Sequence, residues 1–184
     1  MNRSAALRGA LWIGAAVLLG GCGGGDKPSE PLPEAPAQMN LTSAAFRDGD
    51  TIPKRFTCSG RDISPPLRWS ELPRATREFE LLVEDVDADR FVHWTVLGIP
   101  SALHRLLEGE VPPEAVETEN GFGDRSWGGP CPPEGDDPHR YVFAIYAVDK
   151  PLGLGSDASP DDVREAVAEH ALGSGTLTGR FARD

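Results

Sequence analysis

The sequence predicts a mainly β fold, a sandwich of strands in about one folded domain. Of its 184 residues, 21 are Gly and 17 are Pro. A chain so rich in turn-forming residues is typical of many strands joined by turns rather than of a helical bundle. The stretch from Tyr141 to Val148 is apolar on both of its alternating faces, which is typical of a strand buried inside a sandwich.

The strands that precede this stretch are predicted from alternation and from proline. Met39 to Phe46 is the probable opening strand. From Ser64 to Trp69, two prolines keep the chain extended and place Leu67 and Trp69 on the same side. Arg77 to Glu84 alternates apolar and acidic residues, as a strand does.

A second group of elements follows. Val92 to Ile99 is a further predicted strand. Pro100 to Ser126 is long and irregular, and loops of that length in a compact domain tend to be functional rims or insertions. Thr176 to Ala182 is the predicted closing strand.

One helix is predicted near the end of the chain. Ser159 is its expected N-cap, with Pro160 in the first helical position. An apolar stripe runs from Val163 to His170, and Gly173 is expected to stop the helix. His170 lies at core spacing and is therefore interpreted as structural.

The N-terminus, Met1 to Gly21, is predicted to be a signal peptide. Arg3 and Arg8 form its positive region, and the apolar stretch that follows is too short to span a bilayer. The sequence Leu-Gly-Gly before Cys22 resembles the lipobox of bacterial lipoproteins. The resemblance implies cleavage before Cys22 and acylation of that residue, a stable membrane anchor. The alternative is an ordinary secretory signal with a chance cysteine.

Residues 22–38 are predicted to be the lipidated cysteine and a flexible linker, rich in Gly, Pro and acid. Gly23 is not the Asp that retains enterobacterial lipoproteins at the inner membrane. We therefore expect a bacterial cell-envelope protein, lipid-anchored at the outer membrane and facing the periplasm rather than at the inner membrane. Residues 39–184 are the predicted folded domain. Its acidic charge, −11 for the whole chain, excludes nucleic-acid binding, which needs a basic surface.

Four polar features recur beside predicted strand ends. They are Asp85 with Asp87, His93, the loop from Gly129 to Pro133, and His139. Each has an ordinary structural reading as a turn, a loop or a packing residue. If they converge, loop N–H groups and imidazole donors suit an anion, while a carboxylate orients a histidine or binds an ammonium. Such a site would hold a zwitterion like phosphoethanolamine.

Other site chemistries fit the sequence less well. Cys58, Cys131 and the histidines lack the spacing of a zinc site, so we predict no metal and no cofactor. Cys131 has prolines on both sides and no helix N-terminus to lower its pKa, which disfavours it as a nucleophile. A hydrolase that uses His93 or His139 as base lacks a positioned nucleophile. We therefore predict a protein that is not an enzyme.

Three motifs together resemble the signature of the phosphatidylethanolamine-binding protein family, nearest its bacterial Raf-kinase-inhibitor-like branch. They are Asp85 to Asp89, His93 to Pro100, and Gly129 to Pro133 followed by His139-Arg140-Tyr141. The resemblance implies an antiparallel β-sandwich with a C-terminal helix and a small anion-binding pocket. The implied ligand-binding residues are Asp85, His93, Gly129, Pro133, His139 and Tyr141, with Asp87 supporting the loop.

The sequence departs from the family pattern in the first motif. The family's loop has prolines where this chain has Val86 and Asp89. Their loss loosens the loop and disfavours a cis peptide bond there, and the charge of Asp89 is expected to weaken phosphate binding. In addition, Gly98 stands where an Asn is usual.

The resemblance also implies that Cys58 and Cys131 lie near one another. With Cys22 lipidated, they remain as a pair in an oxidising compartment, so we predict a disulfide. The function we expect is a lipid-anchored, non-catalytic protein that binds a small phosphorylated or anionic ligand, such as a phospholipid headgroup. The alternative is a regulatory module that uses the rim from Pro100 to Ser126 to inhibit a kinase or protease.

Overall fold

The structure, a computed structural model, describes residues 31–183; the predicted signal peptide and Cys22 lie outside them. Nine strands and one α-helix form the described part. They are β1 (Ala37–Gln38), β2 (Asn40–Ser43), β3 (Leu67–Ser70), β4 (Glu78–Asp85), β5 (Phe91–Pro100), β6 (Arg105–Leu106), β7 (Val116–Glu117), β8 (His139–Val148), α1 (Pro160–His170) and β9 (Ala171–Phe181). A short 3-10 helix spans Lys54–Phe56.

The strands form two sheets, which confirms the predicted sandwich. The larger sheet has the order β1-β9-β8-β4-β5-β7, and the smaller has the order β2-β3-β6. All pairs are antiparallel except β1 with β9. The main core lies between the sheets, where Trp69 of the smaller sheet meets Phe79 of the larger one at 5.4 Å between ring centroids.

The other face of the large sheet is covered by α1. Val163 and Val167 pack on Leu82 and Tyr146, which form a second apolar cluster. The predicted N-cap is confirmed, because the Ser159 hydroxyl accepts from the Asp162 backbone N–H. Within residues 31–183 no helix is long and apolar enough to cross a membrane.

The predicted end of the helix is wrong. The helix ends at His170, and Gly173 lies inside β9 rather than at a helix stop. The chain turns directly from α1 into β9 because residues from Ala171 onward pair with the end of β8. A Cβ on Gly173 would lie 3.2 Å from the Ala37 carbonyl oxygen. The absence of a side chain at Gly173 therefore allows β1 to pair with β9 at the edge of the sheet.

Two residues of the predicted linker belong to the large sheet. Ala37 and Gln38 pair in parallel with Gly173 and Ser174. The irregular stretch from Pro100 to Ser126 contains β6 and β7, two short strands at the edges of the two sheets.

Strand β4 buries acidic residues on its second face, because α1 and the loops around it cover that face. Glu84 is fully buried and is held by Arg164 of α1 and by Arg90, whose Nη1 lies 3.2 Å from its carboxylate. Paired arginines compensate a charge that would otherwise be costly to bury. This ion-pair group joins the loop after β4 to the helix. Glu80 is also fully buried.

Candidate functional site

Asp85, the last residue of β4, is the centre of the candidate site. It is 3% exposed, and its Oδ2 accepts a hydrogen bond of 2.7 Å from His139 Nδ1. Its Oδ1 accepts from the Asp87 backbone N–H at 3.0 Å. The carboxylate therefore fixes the tautomer of His139, whose Nε2 is left to face outward, and it also shapes the loop that follows β4.

His93 of β5 lies on the same side of the sheet. It is 3% exposed, and its Nδ1 is 2.6 Å from the Gly128 carbonyl oxygen. A carbonyl only accepts, so Nδ1 carries the proton. Burial lowers the pKa of His93 because it disfavours the charged ring. The ring is therefore neutral at neutral pH, and its Nε2 can only accept a hydrogen bond.

Tyr141 of β8 completes the group. Its ring centroid lies 5.1 Å from that of His93, and it is opposite Asp85 in the β4–β8 register. The hydroxyl is buried and has no hydrogen-bond partner of ordinary geometry among the described residues. Burial and the nearby charge of Asp85 raise its pKa, so it stays protonated. We call Asp85, His93, His139 and Tyr141 the site cluster.

The glycine loop contacts the site cluster through a carbonyl rather than through N–H groups. Gly129 N–H donates to Asp62 Oδ1 at 2.8 Å, and Gly128 N–H donates to the His93 carbonyl at 3.0 Å. The sequence-based expectation that these N–H groups bind an anion is therefore not met at either glycine. A Cβ on Gly129 would lie 2.6 Å from the Phe56 carbonyl oxygen, so glycine is needed for close approach.

The predicted disulfide is confirmed. Cys58 and Cys131 are bonded, with 5.4 Å between their Cα atoms. The Cys58 backbone N–H also donates to the Pro130 carbonyl at 3.2 Å. Together these links attach the glycine loop to the segment after the 3-10 helix, and they thereby hold the Gly128 carbonyl against His93.

Two further predicted residues lie at the margin. Asp87 is bound by Arg140, which donates from its backbone N–H at 2.7 Å and from Nη2 at 2.6 Å. The Arg140 guanidinium holds the pKa of Asp87 below its usual range, which agrees with a supporting role. Pro133 is exposed, and its described hydrogen bond joins it to Asp136 rather than to the site cluster.

The backbone conformation of the loop between β4 and β5 explains why Asp89 stands where the family has a proline. Asp89 and Arg90 have φ values of 50° and 56°. Proline cannot adopt a positive φ, whereas Asp does so more readily than most residues. No peptide bond in residues 31–183 is cis, as expected from the missing prolines.

The site cluster is nearly closed, and it opens to solvent at His139. There a cleft of about 500 Å³, which we call the site cleft, is lined by Asp87, Asp136, Asp137, Pro138, His139, Arg140 and Arg180. A second cleft of about 290 Å³ continues past Pro138 and Arg180.

Sequence reasoning missed three residues of the site. Asp62 anchors Gly129, Phe122 is 50% exposed with its ring 5.5 Å from that of His93, and Arg180 lines the site cleft. Arg180 lies in the predicted closing strand and Phe122 in the predicted rim from Pro100 to Ser126, but neither was expected at the site. Asp62 and Phe122 lie in turns with no periodic signal, so only the fold places them here.

A family model described as phosphatidylethanolamine-binding protein matches residues 42–182. The chain is 41% identical over 152 residues to the UPF0098 protein of Methanothermobacter thermautotrophicus, which covers 79% of this chain and 99% of that protein. It is 36% identical over 182 residues to the protein named "Putative lipoprotein LppC" of Mycobacterium tuberculosis, with 90% of each chain covered.

Two solved structures share the fold. CT736 of Chlamydia trachomatis, described as a homologue of the phosphatidylethanolamine-binding protein, is 36% identical, with a TM-score of 0.73 over 80% of this chain and 99% of that one. YbcL of E. coli, described as a member of the mammalian PEBP family, is 28% identical, with a TM-score of 0.76 over 80% of this chain and 100% of that one.

Proposed function

The chain belongs to the phosphatidylethanolamine-binding protein family, and from this premise we propose that its site cluster binds a small anionic ligand of the phosphoethanolamine type. One observation carries the proposal: the Tyr141 hydroxyl is buried beside Asp85 and His93, and among residues 31–183 it has no hydrogen bond of ordinary geometry. Leaving a buried hydroxyl unpaired costs free energy. A ligand oxygen that accepts from Tyr141 would recover it.

The hydrogen-bonding groups of the site cluster define the ligand further. Tyr141 offers a donor, whereas neutral His93 offers an acceptor at Nε2. A fitting ligand therefore carries both an acceptor oxygen and an O–H or N–H donor. Monoprotonated phosphate and phosphoethanolamine both meet this requirement, and a fully deprotonated anion meets it less well.

The role we propose is binding without catalysis. Cys58 and Cys131 are joined in the disulfide, so neither sulfur is a thiolate nucleophile. The pair of His139 with Asp85 resembles the base of a hydrolase. However, within residues 31–183 no serine hydroxyl is hydrogen-bonded to either histidine of the site cluster, so the nucleophile that such a mechanism needs is missing.

We further propose that the domain is held at a membrane through acylated Cys22, in a bacterial envelope and at the outer membrane facing the periplasm. The similarity to a protein named as a lipoprotein supports this proposal. The anchor would place the site near phospholipid headgroups, the ligand source that the proposed chemistry suits.

Titration calorimetry of the full-length protein, in a detergent without phosphate groups, tests the binding function. We expect phosphate and phosphoethanolamine to bind the wild type. Tyr141→Phe should weaken both about tenfold, because a hydrogen bond to a charged group is lost. Tyr146→Phe is the matched control, since Tyr146 is buried in the same strand but faces α1.

The Tyr141→Phe variant should fold about as stably as the wild type, because the deleted hydroxyl makes no hydrogen bond of ordinary geometry among residues 31–183. A loss of affinity is therefore not a loss of structure. The proposed function is rejected if the wild type binds neither ligand, or if both tyrosine variants bind them equally well.

A second candidate function is regulation of a partner enzyme, a kinase or protease, through the rim from Pro100 to Ser126. The exposed large apolar side chains of the described chain are Leu103, Leu107 and Phe122, and all three lie in this rim. Leu103 and Leu107 line a cleft of about 510 Å³ beside β6, an edge strand of the smaller sheet. Exposed apolar clefts at open sheet edges are typical of protein-binding surfaces.

Inhibition assays against a panel of purified kinases and serine proteases test this second candidate. The wild type should inhibit a target, and Leu103→Ser with Leu107→Ser should raise the inhibition constant at least about tenfold, because two apolar anchors are lost. Tyr141→Phe serves as the control that leaves the rim intact. If the wild type inhibits nothing, or if the serine variant inhibits equally, the rim has no such role.

A further inference from the structure

The side chains of the site cluster carry little positive charge with which to bind an anion. Asp85 is a buried carboxylate that accepts a hydrogen bond from His139, so it adds negative charge to the site cluster. His93 is tied to the Gly128 carbonyl and neutral, and Tyr141 is a neutral donor. A bound anion therefore needs a counter-charge from outside the site cluster.

Two arginines line the site cleft, and one of them is already neutralised. Arg140 donates from Nη2 to one oxygen of Asp87 at 2.6 Å and from Nε to the other at 3.0 Å. Such a two-point contact with a carboxylate neutralises the charge of the guanidinium and uses two of its five N–H donors. Arg140 thus has little to offer a ligand.

Arg180 of β9 is different. It lies directly opposite Arg140 in the β8–β9 register and lines both the site cleft and the cleft that continues past Pro138. Among residues 31–183, its side chain has no hydrogen bond and no ion pair. Its guanidinium therefore has N–H donors that no described residue uses and that a ligand can accept from.

We propose that the Arg180 guanidinium binds the anionic group of the ligand, across the site cleft from His139, and that it supplies the positive charge that the site cluster lacks. This inference rests on the proposed function and names the residue responsible for the affinity for anions. A guanidinium presents paired N–H donors that match two oxygens of a phosphate or carboxylate.

The remaining charges of the site cleft define what else the ligand carries. Asp136 and Asp137 lie on the same cleft and are exposed, and Asp136 Oδ2 is 3.9 Å from His139 Nε2. These carboxylates repel a dianion but attract a cationic group. A ligand with its anionic group on Arg180 and an ammonium toward Asp136 and Asp137 therefore fits better than inorganic phosphate.

The test is calorimetric titration of full-length Arg180→Gln, Arg180→Lys and wild-type protein with inorganic phosphate and with phosphoethanolamine. Arg180→Gln should weaken both ligands at least about tenfold, as expected for loss of a charge-assisted hydrogen bond. Arg180→Lys should keep most of the affinity, because it retains the charge. Arg68→Gln is the control, since Arg68 is an exposed strand residue of the smaller sheet.

The outcomes separate this inference from the function on which it depends. If the wild type binds neither ligand, the proposed function itself fails, and this inference fails with it. If the wild type binds and Tyr141→Phe weakens binding while Arg180→Gln binds normally, the function stands and the role of Arg180 is refuted. Equal losses in Arg180→Gln and Arg68→Gln would also refute it, because they would indicate a general effect of net charge.

Discussion

Replacing Cys58 and Cys131 by serine should lower the free energy of unfolding by about 4 kcal/mol. The disulfide joins residues 73 positions apart. Its removal frees a long loop of the unfolded chain, so the unfolded state gains conformational entropy. For a domain of this size the loss corresponds to roughly 10 °C in the unfolding temperature.

We also expect weaker anion binding, because the disulfide holds the glycine loop whose Gly128 carbonyl orients His93.

Urea denaturation of the full-length protein measures this effect. Arg68→Gln is the control, since it changes an exposed strand residue of the smaller sheet and leaves all three cysteines in place. Wild-type protein treated with a reductant should resemble the double-serine variant. An unfolding free energy within about 1 kcal/mol of the wild type would contradict the entropic role that we assign to this bond.

A second large effect is expected from pH, through Glu80 of β4. Its side chain is fully buried, and Oε2 accepts from the Gly98 backbone N–H at 2.9 Å, whereas Oε1 has no partner among the described residues. Burial raises the pKa of Glu80 to about 9. Gly98 has a φ of 68°, a conformation that favours glycine.

The sign of the pH dependence follows from proton binding. The folded state keeps the Glu80 proton up to about pH 9, whereas the unfolded chain releases it near the ordinary glutamate pKa of 4.5. Between these values the folded state binds more protons, so its stability falls as pH rises, by up to about 1.4 kcal/mol per pH unit. The stabilisation that Glu80 contributes to the folded state is fully present below about pH 4.5 and is lost as the pH rises through about 9.

Glu80→Gln should remove this dependence, because glutamine keeps the shape of the protonated acid and cannot ionise. We expect the variant to match the wild type near about pH 5 and to exceed its stability by several kcal/mol near about pH 8. Urea denaturation at both pH values measures the difference, with Glu119→Gln, an exposed carboxylate, as control. Parallel pH profiles of wild type and Glu80→Gln would show that Glu80 is ionised in the folded protein.

Local patterns were sufficient to predict much of this protein from its sequence. The residues of β8 that are apolar on both strand faces, and the N-cap at Ser159, are patterns among residues close in sequence. The structure confirms the strand β8 and the helix α1 that they predict. The disulfide and all four members of the site cluster were predicted because motif resemblance carries tertiary information that spacing lacks. For the same reason, Pro133 was carried over with its motif although it lies at the margin of the site.

The remaining features depend on which strands and loops meet, and the tertiary structure alone decides that. The helix ends at His170 because the following residues pair with β8, which overrides the stop signal of Gly173. Glu80 is buried because α1 and the adjacent loops cover a strand face that alternation alone would assign to solvent. The Gly129 N–H is unavailable to an anion because it donates to Asp62, which is distant in sequence. Asp87 binds Arg140, whereas Arg180, opposite Arg140 in the register, has no side-chain partner among residues 31–183. The periodicity of residues close in sequence determines the secondary structure elements. Contacts between residues distant in sequence determine which polar groups remain free to bind a ligand.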